Sequence, residues 1–387
     1  MKLKVLLERE PRKIFRVNKS FQTKSIITDR TMAVAEAFGI GLDTRRFPVF
    51  KNFAVDINPR DLVYITGESG SGKSVLSREL VKQIKVYKDV FGEAITDKDL
   101  KIDPHEVLVH GAGPSTEEAL RNLSMAGLNE AFLFLRRYRE LSDGQKYRYK
   151  ISKMLASGAD VWVMDKFCAT LDREMAKVVA FCLQKVARKK GKTVLVATTH
   201  TDLFEDLGPS VFIEKSFGED VKVTYLNEDA PKECSIVRGI RIVQASRTDY
   251  GPLGRFHYRS GLPPSLKVFQ MVLGDRTIGV IVYTPSRRKY FGRSIYLGRS
   301  FPLEEVNRNF ACISRVIIHS RYRSIGLGTK LVRETLALAG KKYVEAIAVM
   351  AKYAPFFEKA GMTEVPEALE RRGKKYYIWV KNSKDHN

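Results

Sequence analysis

The sequence predicts two domains: an α/β domain with a parallel sheet over residues 46–230, and a smaller α+β domain over residues 236–387. In the first region, short apolar runs such as residues 62–66 alternate with helical segments, which is typical of parallel strands. In the second region, a hairpin with Gly-Asp in its turn precedes a strand that runs into a glycine-rich turn and a helix. Each region therefore contains one glycine-rich turn between a strand and a helix.

Residues 1–45 form a basic extension ahead of the first domain and are compatible with a helix. Apolar residues recur at helical spacing over residues 29–43, before a glycine stop. The first fifteen residues carry charges where a signal peptide needs an apolar stretch, and no run of about 18 apolar residues occurs. We therefore expect a cytoplasmic protein with no membrane-spanning segment.

The chain carries a formal net charge of +23, with 67 Lys and Arg against 44 Asp and Glu. Such a charge favours polyanionic partners, such as nucleic acid, nucleotides or coenzyme A. A generally basic surface is the alternative, and charge alone does not separate RNA from DNA. The cysteines lack metal-binding spacing, which favours buried reduced thiols over a disulfide or zinc site.

Residues 67–74, GESGSGKS, contain a complete GxxxxGK[ST] motif between a predicted strand and a predicted helix. Glycines allow the backbone to fold around phosphates, Lys73 reaches the β and γ phosphates, and the Ser74 hydroxyl ligates Mg²⁺. The sequence therefore predicts ATP and Mg²⁺ as ligands. The predicted ATP-binding residues of this turn are Gly67, Ser69, Gly70, Ser71, Gly72, Lys73 and Ser74.

Four further motifs resemble those of ATP-binding-cassette (ABC) proteins, in the same order and spacing. Residues 141–148, LSDGQKYR, resemble the signature motif, although Asp143 replaces a glycine. Asp165 ends a strand like the Walker B aspartate, Asp172 ends an ATLD turn like the D-loop, and His200 resembles the switch histidine. We find no glutamine-loop residue between the phosphate-binding turn and the signature.

The resemblance implies an ABC-type ATPase domain in which Ser74 and Asp165 hold Mg²⁺. It also implies a head-to-tail homodimer, with each ATP between the phosphate-binding turn of one subunit and the signature of the other. The residues implied on the signature side are Ser142, Gly144, Gln145 and Asp172. Soluble ABC ATPases that act on nucleic acid or ribosomes are a closer comparison than transporters.

Lys166 stands where ABC proteins usually carry the glutamate that polarises the attacking water. A protonated lysine cannot accept the proton, although its charge could pair with the γ phosphate. In the favoured interpretation, ATP is a structural clamp that is hydrolysed slowly. In the other interpretation, His200 organises the site well enough for appreciable turnover. Both residues are therefore catalytic candidates.

The second glycine-rich turn follows the strand at residues 312–319 and reads Arg323-x-x-Gly326-x-Gly328. This pattern resembles the coenzyme A turn of the GCN5-related N-acetyltransferases (GNAT family). The resemblance implies that helix N-terminal amides wrap the pyrophosphate and that the strand edge pairs with the pantetheine amides. The implied acetyl-CoA residues are Val316, Ile317, Ile318, Arg323, Ser324, Ile325, Gly326, Leu327, Gly328, Thr329 and Lys330.

Residues 353–362, YAPFFEKAGM, resemble a second GNAT motif, in which a tyrosine protonates the departing thiolate. Phe357 occupies the position of that tyrosine, and Tyr353 is the candidate substitute, although a packed aromatic ring is the commoner role. The general base stays open. Because the two phosphate-binding turns belong to separate predicted domains, we expect coenzyme A binding to be independent of ATP.

Residues 245–300 mix Arg and Lys with Tyr and Phe, which suits phosphate contacts and stacking on unpaired bases. Tyr258 and Arg259 are the candidate nucleic-acid residues, and a basic loop-rich surface is the alternative. The chain thus resembles an ABC-type ATPase fused to a C-terminal GNAT domain. That resemblance implies acetyl-CoA-dependent N-acetylation, with a nucleobase amine of RNA as the first acceptor to test. A protein or small-molecule acceptor, or a non-catalytic nucleic-acid-binding protein, are the alternatives.

Overall fold

The computed structural model describes residues 13–22, 26–42, 46–226, 230–246, 251–254, 263–348, 355–366 and 375–381. Its strands are, in chain order, β1 (Lys13–Gln22), β2 (Arg46–Ile57), β3 (Leu62–Gly67), β4 (Ala94–Thr96), β5 (Val161–Met164), β6 (Thr193–Ala197), β7 (Val211–Lys215), β8 (Val221–Tyr225), β9 (Ile240–Ala245), β10 (Lys267–Leu273), β11 (Arg276–Pro285), β12 (Phe310–Ile318), β13 (Tyr343–Ala348), β14 (Thr363–Glu364) and β15 (Lys375–Val380). Its α-helices are α1 (Asp29–Phe38), α2 (Lys73–Val86), α3 (Lys88–Phe91), α4 (Leu108–Gly111), α5 (Thr116–Met125), α6 (Ala131–Phe134), α7 (Asp143–Ala156), α8 (Arg173–Lys189), α9 (Phe204–Leu207), α10 (Gly251–Gly254), α11 (Phe291–Leu297), α12 (Leu303–Asn309), α13 (Leu327–Thr335) and α14 (Phe356–Lys359).

The chain divides into two compact units, each built from segments that are distant in sequence. Unit 1 comprises Met1–Lys101, Gly158–Thr170 and Gln184–Ala230, and unit 2 comprises Ile102–Ser157, Leu171–Leu183 and Pro231–Asn387. Unit 2 therefore combines the signature segment with the C-terminal sheet. The domain limits 46–230 and 236–387 stay a prediction, because compactness alone does not define where a domain ends.

The N-terminal part of unit 1 is an antiparallel ribbon of β1 and β2, with Lys13 opposite Ile57 and Gln22 opposite Arg46. The helical expectation is correct for α1, which ends at Gly39 in a left-handed conformation. It is wrong for residues 13–22. Burial there alternates with period two, since Phe15 and Val17 are buried between exposed residues, and this period is that of a strand.

A six-stranded sheet forms the centre of unit 1, in the order β4-β5-β6-β3-β7-β8. All neighbouring strands are parallel except β7 and β8. Helix α2 packs Leu76, Leu80 and Ile84, which share one helical face, into the core beside β3. Because the sheet is parallel here, the loops after β3, β5 and β6 all leave from one edge, which confirms the predicted α/β class.

In unit 2, the segment between residues 102 and 157 is helical, with a small core that includes Leu108, Leu123, Leu133 and Tyr149. The Tyr149 hydroxyl donates to Glu106 at 2.7 Å, and Lys153 lies 3.3 Å from the same carboxylate. This region includes the signature helix α7, and the sequence alone predicted no structure for it before residue 141.

The C-terminal sheet of unit 2 has the order β14-β15-β13-β12-β11-β10-β9. Its predicted hairpin is present, since Leu273 pairs with Arg276 across a Gly-Asp turn. Only β12 and β13 run parallel, and the other neighbouring pairs are antiparallel. Val178 and Phe181 of α8 belong to the same hydrophobic core as this sheet. The sheet therefore depends on apolar residues that precede it by many positions.

The four cysteines are buried thiols that form no disulfide. In the described parts of the chain, no cluster of metal-binding side chains of the His, Cys, Asp and Glu type occurs. Over the same residues, no helix is both long enough and apolar enough to cross a membrane.

Candidate functional site

The phosphate-binding turn of unit 1 runs from the end of β3 to the start of α2, as predicted. Gly67, Gly70 and Gly72 have φ values of 141°, 83° and 104°, a region that favours glycine. A Cβ at Gly67 would lie 2.0 Å from the Lys215 carbonyl oxygen, and one at Gly72 would lie 2.6 Å from Val49. These glycines are therefore required by both backbone conformation and close packing.

Lys73 lies inside this turn, where its Nζ donates to the carbonyl oxygens of Gly67 at 2.9 Å and Glu68 at 2.6 Å. Burial lowers its pKa, while the carboxylates of Asp165 and Glu68 partly oppose the shift. The Ser71 hydroxyl is buried without a hydrogen-bond partner among the described residues. A lysine and a hydroxyl group are thus held where a phosphate could accept their hydrogen bonds.

The two predicted Mg²⁺ ligands lie together, since the Ser74 hydroxyl donates to Asp165 Oδ1 at 2.8 Å. The Lys166 amide donates to the same oxygen at 3.0 Å. A hydroxyl and a carboxylate are the hard oxygen ligands that Mg²⁺ prefers, so these side chains fit the expected ion. When bound, Mg²⁺ would neutralise phosphate charge beside Lys73.

Two charged neighbours of Asp165 were missed by the sequence analysis. Lys98 Nζ lies 3.7 Å from Asp165 Oδ2, and the Asp165 amide donates to Asp97 Oδ1 at 3.5 Å. Both residues directly follow β4, which pairs with β5 in parallel. The available signal was the charged TDKD segment after Ala94 and Ile95, because parallel strands deliver their carboxyl ends to one edge.

Lys166 is exposed and has a φ of 52°, and Cys168 has a φ of 56°. Non-glycine residues in this region are uncommon, and such strain collects at functional sites. The turn after Asp165 is therefore held in a specific conformation. Whether Lys166 limits hydrolysis stays a prediction.

His200 lies beyond β6, and the sheet brings it to the same edge as the phosphate-binding turn. Its Nε2 is 2.9 Å from the Cys168 carbonyl oxygen, and Nδ1 is 4.0 Å from Asp202. Thr66 donates to the His200 carbonyl oxygen at 3.0 Å. The predicted switch histidine is thus fixed to the turn after Asp165 and to the strand before Gly67.

The signature residues lie at the N-terminus of α7 in unit 2. Ser142 is the N-cap, and Gln145 accepts from the Ser142 amide at 3.0 Å. A Cβ at Gly144 would lie 2.7 Å from the Met175 sulfur, so α8 requires a glycine there. Ser142 and Asp143 are exposed at the positive end of a fourteen-residue helix, which can interact with an anion.

Asp172 caps the start of α8, where its Oδ1 accepts from the Met175 amide at 3.0 Å. Its other oxygen forms an ion pair with Arg321. Arg321 belongs to the segment before the second glycine-rich turn. A residue implied on the ATP side is therefore in contact with the segment implied for coenzyme A.

The second glycine-rich turn connects β12 to α13, as predicted. Ser324 and Gly326 have φ values of 72° and 91°, and Gly326 is the N-cap of α13. A Cβ at Gly326 would meet no atom within 4 Å, and one at Gly328 would lie 3.7 Å from Phe356. The space beside Gly326 is therefore open, a side chain at Gly328 would contact Phe356, and the first amides of α13 lack intrahelical acceptors.

The side chains of this turn have three different environments. Ile325 and Leu327 are buried in the core, so only their backbone could contact a ligand. Lys330 forms an ion pair with Glu334 at 2.8 Å, and Thr329 is half-buried. Arg323, which we expected to contact the pyrophosphate, donates to Glu130 at 3.0 Å and to the Ile318 carbonyl oxygen at 2.9 Å.

Strand β12 separates from β13 just before this turn. Their parallel register runs from Phe310–Tyr343 to Ile313–Ala346, while β12 continues to Ile318. On the other side, Val282 pairs with Arg315 and Tyr283 with Ile313, which leaves Ser314 as an extra residue. Val316, Ile317 and Ile318 therefore have a paired strand on one side only among the described residues.

The structure describes Phe357, which occupies the position of the general acid, but not the candidate acid Tyr353 or the two candidate nucleic-acid residues. Phe357 is buried in the hydrophobic core, with its ring 5.5 Å from that of Tyr377. Tyr353, Tyr258 and Arg259 lie outside the described residues, so their roles stay predictions.

The comparisons with known proteins concern the N-terminal part of the chain. Residues 50–169 match the sequence profile of the family described as ABC transporter. The cytochrome c biogenesis ATP-binding export protein CcmA of Vibrio parahaemolyticus is 24% identical over 186 residues, which are 41% of this chain and 87% of that protein. The manganese transport system ATP-binding protein MntB of Bacillus subtilis is 26% identical over 185 residues, which are 40% of this chain and 72% of that protein.

Among solved structures, the dimeric post-hydrolysis state of the ATP-binding cassette MJ0796 with ADP and Pi is 19% identical, with a TM-score of 0.41 over 56% of this chain and 99% of that chain. The dimeric structure of MJ0796 as a bacterial ABC transporter cassette is 20% identical, with a TM-score of 0.40 and the same coverage. The profile match and the sequence relatives identify an ABC ATPase domain in the N-terminal part of this chain.

Proposed function

We propose that this chain is an acetyl-CoA-dependent N-acetyltransferase whose ABC ATPase domain binds ATP and Mg²⁺ and clamps a large substrate. RNA is the proposed substrate, and a nucleobase amine is the proposed acetyl acceptor. The proposed location is the cytoplasm.

The observation that carries this proposal is the turn at residues 323–328 together with the separation of β12 from β13. The one-sided pairing of Val316–Ile318 leaves strand-edge amide and carbonyl groups that the two amides of pantetheine could pair with, although the Ile318 carbonyl oxygen already accepts from Arg323. The α13 N-terminus, with open space at Gly326, suits the pyrophosphate that follows pantetheine in coenzyme A. One extended ligand could therefore run along the strand edge and reach the turn.

In the proposed reaction, a neutral acceptor amine attacks the thioester carbonyl carbon. The N–C bond forms, the C–S bond breaks, and the coenzyme A thiolate leaves while the amine proton passes to water. Phe357 cannot protonate the thiolate, and Tyr353 is the proposed substitute. The chain would then contribute mainly through binding and orientation of the two substrates.

The proposed role of the ATPase domain is a clamp. The exposed signature end of α7 supports a head-to-tail dimer, in which it would contact the γ phosphate bound by the partner subunit. Lys166 in place of the usual glutamate supports slow hydrolysis, because a lysine cation cannot activate water. A slowly hydrolysed ATP would keep the dimer closed around its substrate.

The net charge of +23 supports a polyanionic substrate. RNA is favoured over DNA because the aromatic and basic residues of the 245–300 segment, including Tyr258 and Arg259, suit unpaired bases. This part of the proposal rests on sequence.

Transfer of labelled acetyl groups from acetyl-CoA to purified RNA tests the proposal, with mass spectrometry of the digested nucleosides to identify the acceptor. Gly326→Asp should abolish transfer, because a carboxylate would repel the pyrophosphate. Gly274→Asp is the matched control, since Gly274 also has a positive φ and open space but lies in the β10–β11 turn. Transfer to protein or to small amines instead of RNA would identify one of the alternative acceptors. Absence of transfer to any of them would overturn the acetyltransferase.

A second candidate is a non-catalytic nucleic-acid-binding ABC protein. The pair of Arg323 with Glu130 favours it, because Arg323 is then already engaged, and so does Phe357, which cannot act as an acid where the GNAT motif has its tyrosine. This candidate predicts RNA binding without acetyl transfer in the same assay.

A further inference from the structure

Residues Ser320–Arg323, which lead into the second glycine-rich turn and include its first residue, are held by the helical part of unit 2, which comprises residues 102–157 and 171–183. Arg148 of α7 donates to the Ser320 carbonyl oxygen at 2.9 Å and to the Arg321 carbonyl oxygen at 2.7 Å. Its guanidinium also reaches the Gly127 carbonyl oxygen at 3.3 Å. Arg148 is only 2% exposed, so one buried cation fixes two consecutive peptide groups of this segment.

Three side chains of the same segment contact acidic residues of the helical part. Arg321 pairs with Asp172, and the Tyr322 hydroxyl donates to Glu174 at 2.7 Å. The third contact is the pair of Arg323 with Glu130 described above.

The Gly127 backbone also lies close to the Ser324 side chain. A Cβ at Gly127 would lie 2.8 Å from the Ser324 hydroxyl oxygen. Gly127 also has a φ of 92°, so glycine is favoured there on two grounds. The loop that contains Gly127 therefore packs against Ser324 of the turn only because residue 127 is a glycine.

Helix α7 contains both the signature residues and Arg148, so it could connect a nucleotide site to the segment before the second glycine-rich turn. Its first turn contains the signature residues, and Arg148 follows Gln145 by one helical turn, about 4.5 Å along the axis. An anion at the signature would contact the first turn of α7, and the guanidinium that holds Ser320 and Arg321 belongs to the next turn of the same helix. The path between the two sites is thus short and rigid.

Three buried polar atoms near this contact lack hydrogen-bond partners among the described residues. They are the Nε atoms of Arg148 and Arg321 and the Oδ1 atom of Asn129. Buried polar groups are usually paired, and partly satisfied networks are costly. Two of these three atoms belong to Arg148 and Arg321, the residues that the test below changes.

We propose that Arg148 is a positioning residue for the acetyl-CoA turn, through which nucleotide bound at the signature strengthens acetyl-CoA binding. This inference rests on the proposed function. It departs from the expectation that the two ligands bind independently, because the signature helix contacts the segment that leads into the turn.

The test measures acetyl-CoA affinity of the full chain by calorimetry, with and without the ATP analogue AMP-PNP and Mg²⁺. We expect about fivefold or greater tightening by the analogue, which is the lower range of allosteric coupling. Thermodynamic reciprocity requires that acetyl-CoA tighten AMP-PNP binding by the same factor.

Arg148→Met should remove the coupling, giving equal acetyl-CoA affinities with and without AMP-PNP. Because Arg148 is buried, a second variant covers the case in which this protein fails to fold. Arg321→Met removes the partly exposed pair with Asp172 and should weaken the coupling, whereas Arg321→Lys keeps a cation there and should retain it. Arg121→Met, which removes an exposed ion pair with Glu117 elsewhere in the helical part, is the control and should couple as the natural chain does.

The outcomes separate this inference from the function on which it rests. Acetyl-CoA binding that AMP-PNP leaves unchanged or weakens would overturn the coupling and leave the acetyltransferase proposal intact. Full coupling in both Arg148→Met and Arg321→Met would overturn the role of these residues. No acetyl-CoA binding under any condition would overturn both proposals.

Discussion

At the scale of single residues, Lys73 is the group that decides whether the turn of unit 1 binds ATP. Lys73→Ala should lower ATP affinity by about tenfold or more, since a hydrogen bond to a charged group contributes about 1.5–3 kcal/mol. Calorimetry measures this change directly. Lys82→Ala, which alters an exposed lysine on the same helix, is the control and should leave affinity unchanged. Equal affinities of both variants would contradict the assignment of the site.

Lys166 carries a separate prediction about turnover. Lys166→Glu should raise the rate of phosphate release from ATP, because a glutamate beside Asp165 can polarise the attacking water. Lys166→Gln is the control, since it removes the cation without supplying a carboxylate. The clamp interpretation fails if the natural chain already turns over at about 1 per second or faster, near the low end of typical enzymes.

At the scale of elements, a buried ion pair joins β13 to α11. Arg293 and Glu345 are 2% and 0% exposed, and their side chains lie 2.7 Å apart. Tyr376 also donates to Glu345, and Ser286 contacts both members of the pair. The C-terminal sheet therefore has a fully enclosed polar network at this point.

Arg293→Met should lower the free energy of unfolding by about 3–5 kcal/mol, because it leaves the Glu345 charge buried without its partner. Urea unfolding followed by circular dichroism measures the loss. Arg299→Met removes an exposed ion pair with Glu305 and should change the free energy of unfolding far less, because solvent screens that pair. A loss for Arg293→Met as small as that of the control would show that the pair is not buried in solution.

At the scale of the whole molecule, the charge of +23 predicts RNA binding that weakens steeply with salt, as counterions released at Arg and Lys contacts lose their entropic advantage. Single-stranded or looped RNA should bind better than duplex RNA, because aromatic side chains need exposed base faces. Filter binding or fluorescence anisotropy over a salt series measures both effects. Tyr258→Ala and Arg259→Ala should each weaken RNA binding and leave acetyl-CoA binding unchanged.

ATP should strengthen RNA binding if dimer closure forms a shared basic groove, and Lys73→Ala should remove that gain. Weak RNA binding at about 50 mM salt, where phosphate contacts are strongest, with no preference for structure and no response to ATP, would favour a protein or small-molecule acceptor.

Much of the site could be predicted because its motifs are local. The turn at Gly67–Ser74 needs glycines, a lysine and a hydroxyl within eight consecutive positions, and its structure follows from that spacing. The same holds for Gly326, whose left-handed conformation begins α13 as the pattern required. The strands at β3, β5 and β6 were also predictable, because buried parallel strands read as short apolar runs.

The strand β1 was not predicted, because a few alternating residues in a basic segment resemble a helix as much as a strand until a partner strand is known. Its partner β2 begins beyond α1, and only folding brings the two together. Asp97 and Lys98 were missed for a similar reason, since their proximity to Asp165 depends on the neighbouring positions of β4 and β5.

The sequence by itself therefore determined the two glycine-rich turns, the order of the ABC motifs and the parallel sheet beneath them. Only the tertiary structure decided that Arg323 pairs with Glu130 and that Arg148 holds Ser320 and Arg321. The physical reason is how far apart in the sequence the interacting residues lie. A phosphate-binding turn is specified by neighbours in the chain, whereas a contact between residues far apart in sequence exists only after the packing of α7 and α8 has brought their partners within hydrogen-bonding distance.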